Sequence, residues 1–239
     1  MYVKMWCVGW LFYLLRFIFT LVIIFAGSSP ISLAGEQLCS LFSGLLLLYG
    51  TYLFSEKKIT QWWHIFTAIS AIWIIISAFL QLSFVVTTLP SFTFLAFVFI
   101  WTGLAFIQYK EIQSKIPVLT GWIFILWGIH KIDYPFLRNV DWFAPWGFLL
   151  GAVFEFGIAF GILLVYFQKN REGYINSERR FRNLIESMDD IVFIIDPSQR
   201  YVELFGRWME NIGISPDDLR GKTIHEVMDF ANSPLHEDA

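Results

Sequence analysis

FAPWGFLLGAVFEFGIAFGILLVYF occupies residues 143–167, and QKNREGYINSERRFRNLIE follows it directly over residues 168–186. The first stretch holds a single charge, Glu155, while the second carries one every two or three residues. A helix rising ~1.5 Å per residue needs about 20 apolar residues to cross a hydrocarbon layer ~30 Å thick. The pair therefore reads as a membrane span that leaves the bilayer near residue 168 and continues into water as a charged helix.

Working back towards the N-terminus, five more stretches meet the same test, at about 5–27, 37–55, 62–82, 88–108 and 117–134. The chain has 239 residues, 56% hydrophobic and 15% charged, against about 25% charged in an ordinary soluble domain. These lengths exclude the ~10-residue alternating strands of a membrane β-barrel, and a net charge of −3 argues against nucleic acid as a partner. The expected fold is an all-α membrane bundle over 1–167, a signalling helix over 168–186 and a small α+β segment over 187–239.

Lys4, Lys57 with Lys58, Lys110 with Lys115, and the cluster Lys169, Arg171, Arg179, Arg180 and Arg182 fall on alternate sides of the spans. The loops 28–36 and 83–88 hold no Lys or Arg; only the loop 131–141 breaks the pattern, with Lys131 and Arg138 balanced by Asp133 and Asp141. The positive-inside rule then puts both termini of the chain in the cytoplasm and the protein in the cytoplasmic membrane. Trp62, Trp63, Trp101, Trp122, Trp142 and Trp146 lie near span ends, as interfacial anchors do. Cys7 and Cys39 show no CxxC spacing and imply neither a disulfide nor a metal site.

Charges inside the bilayer are costly and need partners. Arg16 and Glu155 each lie ~11–12 residues from the inner ends of their helices, hence at a similar depth of ~15–18 Å. An intramembrane ion pair is expected between them; the alternative is that Arg16 snorkels or Glu155 is protonated. Gly147 and Gly151, with Gly157 and Gly161, make small-xxx-small steps that suit close helix packing.

Between the last two spans runs HKIDYPFLRNVDWFAPWG, residues 130–147. His130 and Asp133 are one turn apart, and Pro135 is expected to end the helix. One reading is a helix stop with interfacial anchors. The other is an outward-facing cup in which His130, Asp133, Tyr134, Arg138 and Asp141 bind a small polar or amphipathic ligand, or respond to protonation.

Beyond the membrane, Phe167, Tyr174, Phe181 and Met188 recur every seven residues, with Leu184 at an intervening position. Flanked by charges, this stripe predicts a coiled-coil-like homodimer seam, the alternative being packing on the chain's own domain. A short strand at 190–195, a turn at 196–199 and a second strand at 201–205 follow, then helix starts at Ser215-Pro216 and Thr223.

FRNLIESMDDIVFIIDPSQRYVELFGRWMENIGISPDDLRGKTIHEVM, residues 181–228, resembles the first half of a PAS domain, with a hairpin ending at Gly206 and the block SPDDLRGKTIHEV. The membrane part, through GWLFYLLR at 9–16 and HKIDYPF at 130–136, resembles the multi-helix sensory regions that precede PAS domains in bacterial and archaeal sensor histidine kinases and diguanylate cyclases. The resemblance implies a membrane-embedded sensor that signals through PAS to an output domain outside this chain, a histidine kinase acting on a response regulator or a cyclase. No catalytic motif stands in the chain, and no haem, flavin or metabolite is assignable to the PAS-like part. A transporter or channel would call for inverted repeats that the sequence lacks. A haem between His64 and His130 would need them close, whereas the topology sets them near opposite faces.

Overall fold

The computed structural model describes residues 1–112, 114–187, 192–205, 215–223 and 225–227, apart from the side chains of Glu186 and Pro216. Met188, Gly206 and the expected strand start at Asp190 lie outside them. The chain divides into two compact units, residues 1–169 and 170–239.

Six helices, each long and apolar enough to cross a membrane, dominate the chain: α1 (Tyr2–Ala26), α2 (Pro30–Phe54), α3 (Gln61–Phe79), α4 (Phe84–Ile107), α5 (Ile116–Leu137) and α6 (Ala144–Glu186). The first unit holds α1 to α5 and the first part of α6. Its outer surface is apolar: Leu11, Phe25, Ile69, Phe97, Leu119 and Phe156 are each more than half exposed. An apolar exterior this extensive has no counterpart on soluble monomers and is what a bilayer covers.

α2 begins seven residues before the predicted 37–55. Ser29 and Ser32 form a reciprocal capping box and Pro30 takes the first helical turn, so the apparent loop is a helix start. α4 likewise starts at Phe84 and carries Pro90 in its interior. Proline has no N–H for the Val86 carbonyl four residues back, and the Trp73 indole N–H on α3 supplies one at 3.2 Å. Nor does Pro135 end α5. The helix runs on to Leu137 with Pro135 inside it, and the missing proline N–H leaves the Lys131 carbonyl without its ladder donor.

α1 packs on α2 and α4 on α5, with α2, α3 and α4 in mutual contact. The α4–α5 seam is the tightest. A Cβ on Gly103 would stand 2.4 Å from the Gly121 carbonyl oxygen, and one on Gly121 would stand 2.5 Å from that of Gly103. At the other inner seams, Gly50 makes room for the Trp6 indole and Gly44 for Leu95 and Phe99. Rings fill the centre: Phe54, Phe106, Phe124, Phe99 and Trp127 follow one another with centroids 6.1, 5.6, 6.3 and 4.2 Å apart.

In the second unit, β1 (Val192–Ile195) and β2 (Tyr201–Phe205) pair antiparallel, with a register shift between Ile194 and Ile195. The Asp196 carboxylate accepts from the backbone N–H groups of Ser198 and Arg200, closing the turn. α7 (Pro216–Leu219) packs Leu219 on Leu204, with Tyr201 and Val227 alongside. Thr223 and Glu226 bond each other's backbone N–H groups at the start of the following helical turn. The bond from the Thr223 N–H holds the Glu226 carboxyl below its ordinary pKa.

Candidate functional site

At the C-terminal end of α5, a cavity of about 280 Å³ opens between α1, α5 and α6. The depth arithmetic explains why these elements meet there. Arg16 on α1, His130 on α5 and Glu155 on α6 each lie ~14 residues, or ~21 Å, from Tyr2, Ile116 and Lys169 respectively, and Lys169 lies over the Tyr2 ring at 5.8 Å.

His130 binds on both sides of its ring. Nδ1 stands 2.8 Å from an Asp133 carboxylate oxygen and Nε2 stands 3.1 Å from the Gly147 carbonyl on α6. A carbonyl only accepts, so Nε2 donates to it. Nδ1 then holds a proton shared with Asp133 if that bond is also made. The histidine thereby ties the end of α5 to the start of α6.

The expected direct Arg16–Glu155 pair is replaced by a chain through a third side chain. Arg16 donates to the Tyr13 hydroxyl at 2.6 Å, and that hydroxyl donates to Glu155. The ion pair of Arg16 is with Glu36 on α2, at 3.6 Å, and Glu36 also accepts from Thr20 at 3.2 Å. Reading 28–36 as a loop hid Glu36; the Ser29-Pro30 cap signal would have placed it on a helix.

His130, Asp133, Tyr134 and Arg138 all line the cavity with Arg16, Lys131 and Glu155. Asp141 does not; it lies exposed in the turn between α5 and α6. Gly147 and Gly151 line the cavity too, rather than packing a helix against them: the nearest groups to their missing Cβ atoms are Phe143, His130 and Glu155. Gly161 does pack closely, against Thr120 of α5, whereas Gly157 meets Ile123 at ordinary van der Waals distance.

Lys131 escaped the sequence reading, which set it in a loop and balanced it against Asp133. It is 6% exposed, with its ammonium 4.5 Å from the Trp127 ring centre and 5.9 Å from that of Phe92. Arg138 similarly lies over Phe148, at 4.6 Å. Cations on aromatic faces are held electrostatically without using their N–H donors.

At the far end of the bundle a second lysine closes the α6 contact. Lys169 donates to the Phe54 carbonyl at the α2 C-terminus, at 3.0 Å, with Glu111 3.9 Å away. It lies over the rings of Phe54 and Tyr109 at 4.5 and 5.4 Å. Burial, then the bond to Glu111, raise the Tyr109 phenol above its ordinary pKa. Replacing Lys169 by Met keeps the stem and removes the charged donor. The expected loss is about 1–2 kcal/mol in detergent unfolding, since hydrogen bonds to charged groups exceed neutral ones and this one is part-exposed. Unchanged unfolding would show that the tether contributes nothing.

Comparison with known proteins finds no matching family model, no similar curated protein and no similar solved structure.

Proposed function

We propose that the chain is the membrane-embedded input module of a signalling protein, relaying a change at the α1–α5–α6 cavity along α6 to a cytoplasmic PAS-type segment and an output domain, a histidine kinase, that acts on a response regulator. The observation that carries this reading is the unbroken course of α6. One 43-residue helix supplies Gly147, Gly151 and Glu155 to the cavity wall and continues without a break through the charged residues 168–186. A continuous helix converts a displacement at one end into translation or rotation at the other.

Supporting the PAS assignment are the antiparallel hairpin, α7 and the capped turn after it, in the order the resemblance calls for. Supporting the dimer are Phe167, Tyr174, Phe181 and Leu184, each more than half exposed along the heptad stripe. The basic loops support both termini lying in the cytoplasm.

Cysteine cross-linking in membranes tests the relay, in a chain with Cys7 and Cys39 replaced by alanine. Cysteines at 167, 174 and 181 are expected to cross-link two copies readily, and those at 171 and 178 slowly. His130→Ala and Asp133→Asn are expected to change the rate at 174 several-fold. Equal rates at all five positions defeat the dimer seam, and rates indifferent to the cavity variants defeat the relay.

A further inference from the structure

We infer that the cavity binds an amphipathic anion, its headgroup on Lys131 and Arg138 and its apolar body against Phe17, Leu137, Phe143 and Phe148. This rests on the reading of the cavity as the input site and names what enters it. Asp133 is engaged by His130, Glu36 by Arg16 and Thr20, and Glu155 by the Tyr13 hydroxyl. Every carboxylate facing the site thus has a partner. Two of its cations do not have an acidic one: neither Lys131 nor Arg138 makes an ion pair among the described residues, and Lys131 makes no hydrogen bond there either.

Burying an ammonium as deeply as Lys131 without a counter-ion is costly, and ring faces compensate only in part. A lysine that served packing alone would be replaced by Met or Leu at no loss. Its N–H donors remain for an anion, and Arg138, whose side chain hydrogen-bonds Tyr134, adds a second positive charge to the cavity wall. Apart from Arg16, His130, Asp133, Tyr134 and Glu155, which are already engaged by side-chain partners, the rest of the wall is aliphatic, aromatic and glycine. Phe17 and Phe148 stand 44% and 45% exposed on the apolar exterior of the bundle, so an apolar chain can reach the cavity from the bilayer without crossing water. A charged headgroup on such a chain fits both halves of the site; a free small anion or a neutral amphiphile fits only one.

The test uses the full chain in nanodiscs of neutral phosphatidylcholine, reading the unfolding temperature against added probe. Decanoate is expected to raise it with saturation, while decanol and acetate leave it unchanged. In Lys131→Met and in Arg138→Gln, decanoate is expected to bind at least about tenfold more weakly, since each removes a positive charge that faces the headgroup in the cavity. Because Lys131→Met relieves a buried charge, that variant should fold at least as well as the parent, so lost binding there is not lost folding.

Nanodiscs containing phosphatidylglycerol separate the two sources of such an anion. If they raise the unfolding temperature and block decanoate, the occupant is a lipid headgroup; if decanoate acts equally in both, it is a free acid. Equal stabilisation by decanol and decanoate, or undiminished decanoate binding in both variants, overturns the inference. Binding of decanoate with no effect on cross-linking at 174 leaves the inference standing and defeats the relay. Cavity variants that alter cross-linking while decanoate fails to bind do the reverse.

Discussion

Gly121→Ala is expected to cost about 3 kcal/mol or more, at the upper end of what overpacking a core does. The new methyl would stand 2.5 Å from the Gly103 carbonyl oxygen and 2.7 Å from an Ile107 side-chain carbon. A side chain can rotate away from such a clash, but a carbonyl in a helix ladder cannot, so α4 and α5 must separate along their length. Gly103→Ala meets the same wall from the other side, and the two effects should be far from additive because one separation accommodates both. Gly173→Ala is the control: nothing lies within 4 Å of its missing Cβ, and alanine in an exposed helix interior is expected to gain about 0.5–1 kcal/mol. Unfolding in detergent followed by circular dichroism measures all three. A Gly121→Ala protein as stable as the parent would mean that the helices are further apart than described.

The second large effect is expected at Arg16, which is 6% exposed. Arg16→Met leaves Glu36 charged and unpaired, and removing one partner of a buried pair costs about 3–5 kcal/mol. The double variant with Glu36→Gln should recover most of that loss. Combining Arg16→Met with Glu155→Gln should recover little, since Glu155 takes its bond from Tyr13 and keeps it when Arg16 goes. A double-variant cycle therefore tells the two acidic residues apart. Recovery with Glu155→Gln but not with Glu36→Gln would reverse the assignment.

The spans were legible because twenty apolar residues have few other uses, and the apolar-to-charged change within α6 because charge density rises within a few residues of 168. What single-helix patterns cannot convey is which helix faces which. Gly103 and Gly121 carry no mark of being partners, while the glycines that stood out by their spacing, Gly147 and Gly151, border a cavity instead. Depth arithmetic brought Arg16 and Glu155 to one level, yet it could not reveal that Tyr13 stands between them or that Glu36 is nearer. Helix-end signals were misjudged in both directions. The stretch 28–36 reads as a loop where Ser29 caps a helix, and Pro135 suggested a stop where the helix still had half a turn to run. The latter error put Lys131 at the surface, when it is among the most buried charges in the bundle.

The way α6 is held has a mechanical consequence. Over residues 144–169 the close fit is in the middle, where Gly161 leaves no room beside Thr120, and the polar bonds are near the two ends of that stretch, to His130 and Tyr13 on one side and to the Phe54 carbonyl on the other. A rod gripped at one point and latched at its ends behaves as a see-saw. From the grip, ~14 residues reach back to Gly147 and ~8 reach on to Lys169, arms of ~21 and ~12 Å. A tilt that carries the Gly147 end outward by a given distance swings the Lys169 end the opposite way by a little over half as much, which strains the tether at Phe54 whenever the latch at His130 lets go.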